Sequence, residues 1–233
     1  GAMSGPSMPQ AKAALRAGLA TLRPQDHFEI IDFDDQTKPV FGRAVPATSG
    51  NIAQALEALV GIEAIGGTMM SPALERAFHP PGGHGLRQIV FITDGAVHGA
   101  GPLFAMIERG LGKARLFTVG IGAAPNARFM RKAAEAGRGS STFIANVNEV
   151  NDQMSGLFAR LSKPAATDFA IDWGQPAETA IALVPDLYAG QPLVTFAQLS
   201  GPPTQVKVRG KTPSDILQVN LQPQQFQSGV SKL

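Results

Sequence analysis

Gln88-Ile89-Val90-Phe91-Ile92-Thr93-Asp94-Gly95 is the stretch on which the fold turns. Its apolar residues follow one another without alternation, and Ile89, Val90 and Ile92 are β-branched. A strand with one wet face alternates; an unbroken apolar run that ends at Asp-Gly reads as a strand covered on both faces. Arg115-Leu116-Phe117-Thr118-Val119-Gly120 repeats the pattern. Residues 103–111, between the two, have helical spacing, so the pair forms a βαβ unit and a parallel sheet.

Working outward, the alternation of helix and strand continues on both sides. Downstream, 126–136 reads as a helix closed by Gly137 at its C-cap, 142–145 as a short strand, and 150–161 as a helix stopped by Pro164. Upstream, Met8, Ala11, Leu15, Leu19 and Leu22 recur at spacings of three and four, with Pro9 near the start and Pro24 ending the helix. Residues 28–33 read as a strand, Asp34-Asp35-Gln36 as a turn and Val40-Phe41 as its return strand. A helix is expected over 51–62, then a tight Gly66-Gly67-Thr68 loop. Ser71 and Pro72 open a further helix, with Ser71 as N-cap, and 79–85 form an exposed connection.

The alternation ends near Pro164. Beyond it only strand-like pieces remain, at 168–173, 179–183, 193–199, 205–209 and 215–221. The expected organisation is α/β, a doubly wound, mostly parallel sheet over 4–164, followed by a small all-β, sandwich-like module over 165–233. Gly1-Ala2-Met3 reads as a scar of recombinant processing.

Composition narrows the function. The 233 residues carry 20 Lys and Arg against 18 Asp and Glu, a net charge of +2, which gives no reason to expect a nucleic-acid stripe. The absence of Cys excludes disulfides, Cys-ligated metals and a Cys nucleophile. No apolar run reaches the ~18 residues of a membrane span. The 26 Gly and 18 Pro lie between apolar runs and mark turns and close backbone approaches.

In an open α/β sheet, ligands bind beyond the carboxyl ends of the strands. Thr68, in a Gly-rich loop before a helix, and Asp94, directly after the strongest strand, fall there. A hydroxyl and a carboxylate are hard oxygen ligands suited to Mg²⁺ or Ca²⁺. Thr68 and Asp94 are the candidate metal residues.

Ile65-Gly66-Gly67-Thr68, the run from Ile89 to Gly95, Leu116-Phe117-Thr118-Val119-Gly120-Ile121-Gly122 and Met8-Pro9-Gln10-Ala11-Lys12 together resemble the von Willebrand factor type A family. Arg23-Pro24-Gln25-Asp26-His27-Phe28 and Val184-Pro185-Asp186-Leu187-Tyr188-Ala189-Gly190-Gln191-Pro192-Leu193 resemble its branch of inter-alpha-trypsin inhibitor heavy chains and their bacterial relatives. The resemblance implies a cation-dependent protein-binding or adhesion module, not an enzyme, on the bacterial surface or in the periplasm. It implies Mg²⁺, or Ca²⁺ or Mn²⁺, as cofactor, with a protein partner whose carboxylate completes the metal shell. Thr68 would ligate directly or through water, and Asp94 through water or from the second sphere. The family's third element, Asp-x-Ser-x-Ser after a first strand, has no match: Ser4 and Ser7 lack a preceding Asp at the right spacing. The expectation is therefore a sheet without its first strand and no tight metal binding by this chain. A slot left by that strand would be filled by rearrangement, by strand exchange in an oligomer, or by the tail segment 216–221.

Two other functions fit the same resemblance, a structural or assembly domain with a vestigial site and a chelatase-like chaperone subunit. Other chemistry has no anchor. Gly120-Ile121-Gly122-Ala123-Ala124-Pro125 puts Pro where a dinucleotide loop needs its third Gly, and there is neither a Walker A nor a Gly-x-Ser-x-Gly motif. His27, His79, His84 and His98 lack ligand spacing; Asp32, Asp34 and Asp35 read as a solvated loop. Trp173 reads as a packing residue, and Arg128, Arg131, Lys132 and Arg138 as a solvated helix face.

Overall fold

The computed structural model describes residues 3, 5–63, 68–83, 85–94, 100–122, 126–179, 184–188, 192–212 and 214–224. The chain divides into two units, Gly1–Ser162 and Lys163–Leu233.

The first unit runs α1 (Ser7–Leu19), β1 (His27–Phe28), β2 (Ile31–Phe33), β3 (Thr37–Pro39), β4 (Val45–Pro46), α2 (Ser49–Val60), α3 (Met70–Phe78), β5 (Gln88–Thr93), α4 (Ala100–Gly110), β6 (Arg115–Ile121), α5 (Ala127–Ala136), β7 (Ser141–Ile144), a 3-10 turn (Val147–Glu149) and α6 (Val150–Leu161). Its centre is a parallel sheet ordered β5-β6-β7, in register from Gln88 opposite Arg115 to Thr93 opposite Gly120. All seven residues of β6 are buried. Leu116 joins the cluster of Phe91, Ile107, Phe129, Met130 and Ala133 that seats α4 and α5. Phe117, Val119 and Ile121 point to the opposite face and are equally buried. The unbroken apolar run is thus explained: neither face of β6 meets water.

Close helix contacts rest on missing side chains. In α1, a Cβ on Gly18 would lie 2.6 Å from the Phe158 ring of α6. After α5, Gly137 does take the C-cap, but with φ −90°, so the left-handed conformation is not its reason for being glycine. Arg138 has the positive φ, 57°. Gly137 and Gly139 are needed because Leu116 passes against both.

Several boundaries differ from the sequence reading. The strand expected over 28–33 is two: Phe28 pairs with Val45 in β1–β4, and Ile31 with Pro39 in β2–β3. Glu29 is the cause. Its Oε1 accepts the N–H of Ile30 (2.8 Å) and of Phe41 (3.0 Å), a side chain standing in for a ladder carbonyl. The return strand is therefore Thr37–Pro39, not Val40-Phe41, although the Val40 N–H still donates to Ile30. Ser71 is not an N-cap; α3 begins at Met70, with Met69 at the cap position and no side-chain cap bond. The helix expected over 103–111 begins at Ala100.

The second unit holds β8 (Pro164–Asp172), β9 (Ala177–Thr179), β10 (Leu187–Tyr188), β11 (Ala197–Leu199), β12 (Val206–Lys211) and β13 (Ile216–Leu221). One antiparallel sheet is ordered β10-β8-β12-β13, and β9 pairs separately with β11. Gly210 of β12 lies under the Phe169 ring, 2.8 Å from where its Cβ would be. Of the expected strand 179–183 only Thr179 lies in a described strand, and 180–183 fall outside the described residues. The tail segment 216–221 does not fill a slot in the parallel sheet. It is β13, paired with β12 over six residues from Lys211–Ile216 to Val206–Leu221.

Candidate functional site

Thr68 and Asp94 are both half-buried, each beside a segment outside the described residues, 64–67 and 95–99. Gly66, Gly67, Gly95 and His98 thus lie outside the description, as do Ser4, His84 and the 123–125 part of the glycine loop. What ties Thr68 to the strand of Asp94 is the β2–β3 hairpin. The N–H of Met69, next to Thr68, donates to the Asp34 carbonyl at 2.9 Å. Phe33, one residue before Asp34, stacks on Phe91 with ring centroids 5.5 Å apart and planes 15° apart. Phe91 stands three residues before Asp94 in β5. A hydrogen bond and a ring stack therefore connect the backbone next to Thr68 with the strand that precedes Asp94 through one hairpin. Among the described residues β5 pairs only with β6, and β2 only with β3.

The hairpin is acidic and internally braced. Asp34 Oδ1 accepts the N–H of Gln36 (2.7 Å), and Oδ2 accepts from Lys38 Nζ (2.7 Å). The Lys38 bond, then the Gln36 N–H, hold the Asp34 carboxyl below its ordinary value. Asp32 moves the other way: burial pushes its carboxyl up, against the attraction of Lys38. The sequence reading took the three aspartates as solvated and missed Lys38, although its i, i+4 spacing from Asp34 was visible. Nearby, a cavity of about 340 Å³ is lined by Asp32, Asp34, Lys38, Val40, Ile62 and Glu63 among others. Lys12 Nζ of α1 donates to the Val60 carbonyl at the end of α2 (3.0 Å).

Thr68 and Asp94 fit a divalent cation in kind but not in number. One hydroxyl and one carboxylate supply two oxygens, where Mg²⁺ takes a near-octahedral set. Among the described residues no group of three or more His, Cys, Asp or Glu could hold a metal ion, and no described helix is long and apolar enough to cross a membrane.

A parallel α/β sheet packed against helices, with Asp94 directly after the carboxyl end of β5, defines the class. The family model of the von Willebrand factor type A domain matches residues 1–143, and the chain belongs to that family. It is 27% identical over 207 residues to von Willebrand factor A domain-containing protein 5A of Rattus norvegicus, covering 86% of this chain and 25% of that protein. It is 27% identical over 217 residues to human inter-alpha-trypsin inhibitor heavy chain H6, covering 84% of this chain and 16% of that protein. The chain thus spans a quarter or less of these relatives' length. Among solved structures, von Willebrand factor type A from Catenulispora acidiphila shares the fold with a TM-score of 0.71 and 19% identity, over 95% of this chain and 63% of that one.

Proposed function

We propose that the chain is a protein-recognition module whose contact region is the corner of Thr68, the β2–β3 hairpin and Asp94. The partner offers a carboxylate, and a divalent cation, Mg²⁺ or else Ca²⁺ or Mn²⁺, bridges it to the site where further oxygen ligands complete the shell. The setting this reading implies is the cell surface or the periplasm. The observation that supports it is the connection of the Thr68 loop to β5 through the Met69–Asp34 bond and the Phe33–Phe91 stack. The reaction is binding, and no catalytic role is assigned to any residue.

Calorimetric titration tests the cation. Mg²⁺ should bind this chain more weakly than millimolar, unaltered by Thr68→Ala or Asp94→Ala. A longer chain carrying an upstream Asp-x-Ser-x-Ser should bind in the micromolar range and lose that affinity in either variant. Micromolar binding by the 233-residue chain would overturn the two-ligand account.

A metal-independent structural or assembly role is the second reading. It is favoured by the shortage of ligands among the described residues. Partner capture that survives EDTA in the longer chain would select it over the first.

A further inference from the structure

Among the described residues the register of the second unit leaves one specific edge unpaired. Among the described residues β13 pairs with β12 and is the outer strand of its sheet. Edge strands in natural sheets are ordinarily shielded by charge, by Pro within the strand, or by a bulge. Here Ile216-Leu217-Gln218-Val219-Asn220-Leu221-Gln222 contains no charged residue and no Pro, and Pro223 follows the strand. Its pairing with β12 runs over six residues without a register shift. Ile216, Val219 and Leu221 are 69%, 37% and 49% exposed, large apolar side chains at a sheet boundary.

We propose that β13 is a self-association edge, taking the β13 of a second copy of this chain in antiparallel pairing about a two-fold axis at Val219. Three features of the register carry this. First, β8, β12 and β13 are successively antiparallel, and a two-fold axis continues that alternation. Second, side chains opposite each other on paired antiparallel strands share a face. With Val219 opposite Val219 of the second copy, Leu217 meets Leu221, Gln218 meets Asn220 and Ile216 meets Gln222. Apolar residues then face apolar ones along the face of Leu217, Val219 and Leu221, while on the opposite face Gln218 meets Asn220 and, of the apolar residues, only Ile216 meets an amide. A slip by one residue would mix the faces. Third, Val208 pairs with both Ile171 and Val219. The row Ile171–Val208–Val219 would therefore run on through its mirror, six β-branched residues across one sheet. Asp215, just before β13, falls opposite Pro223, so no like charges meet.

The contact is one strand long, so the dimer is concentration-dependent rather than obligate. Sedimentation of the 233-residue chain across a concentration series should show a rise from the 24.4 kDa monomer towards twice that mass. Val219→Lys sets two like charges face to face on the axis and should abolish the rise while the circular dichroism and melting curve stay native. Cysteine variants read the register without relying on Lys, because the chain has no Cys of its own. Val219→Cys should form an intermolecular disulfide under mild oxidation. Ile216→Cys, more exposed but six residues from its own counterpart, should not. A single 24.4 kDa species at all concentrations, or cross-linking of Ile216→Cys as fast as Val219→Cys, would overturn the proposal.

Discussion

Gly137 lies against Leu116 so closely that a Cβ on it would stand 2.3 Å from the Leu116 Cβ, and the Gly137 carbonyl accepts the Leu116 N–H at 3.0 Å. The end of α5 is thereby pinned to the start of β6. Gly137→Ala should cost roughly 1–3 kcal/mol through forced repacking. Gly101→Ala, at an exposed position of α4 with nothing within 4 Å of the new methyl, should be neutral or stabilising by about 0.5–1 kcal/mol. Urea unfolding of the two variants checks the contrast; equal effects would show that the Leu116 contact is not what selects glycine.

Glu29 replaces a stretch of ladder with one carboxylate. Glu29→Ala leaves the Ile30 and Phe41 N–H groups without that acceptor and should cost on the order of 1–3 kcal/mol. Glu29→Gln keeps an acceptor oxygen and should lose less. Faster amide exchange at Phe41 in the Ala variant alone is the expected signature.

Two helix starts give a paired prediction. The Asn126 side chain accepts the Phe129 N–H at 3.1 Å, so Asn126→Ala should destabilise by about 1 kcal/mol. Ser71 lies inside α3 and makes no cap bond. Ser71→Ala should leave the melting temperature unchanged, and a loss equal to that of Asn126→Ala would contradict the assignment.

Acid dependence has two opposing contributions. The hydrogen bond from Arg23 holds Asp26 below its unfolded value, so this stabilisation is present near neutrality and lost as pH falls through the depressed folded value. Solvent screening of the exposed pair keeps it small. Asp32 is raised chiefly by burial, so its carboxyl favours the fold when protonated, and that contribution is lost as pH rises through the raised value. Asp32→Asn should therefore gain on the wild type as pH is raised from 3 to 7, and Asp26→Asn should fall behind it. Melting curves across that range decide both signs.

The strands of the first unit were legible where the apolar run is unbroken, although only β6 is buried on both faces and β5 is half-buried at four of its six residues. In β5 and β6 the apolar run is continuous, and its limits in the sequence agree with the structure to within one residue. The amino-terminal hairpins were not, because a single acceptor at Glu29 interrupts an otherwise uniform strand, and nothing in the spacing of 28–33 announces it. The reason for Gly137 was misjudged for a related cause: a contact with Leu116, more than twenty positions away, leaves no local trace. At the candidate site the residue types at 68 and 94, and the place of Asp94 directly after β5, were readable in the sequence. The link between them was not, since it runs through a backbone bond and a ring pair contributed by the hairpin.

The order β5-β6-β7 also bears on how the first unit comes together. Each strand's neighbour in the sheet is the next strand of the parallel set along the chain, so both crossovers close short loops, at small entropic cost. Nucleation is therefore expected at β6, with α5 docking early and the hairpins of β1 to β4 added afterwards. The amides of β6 should be the last in the unit to exchange with solvent, setting the floor from which every local opening is measured.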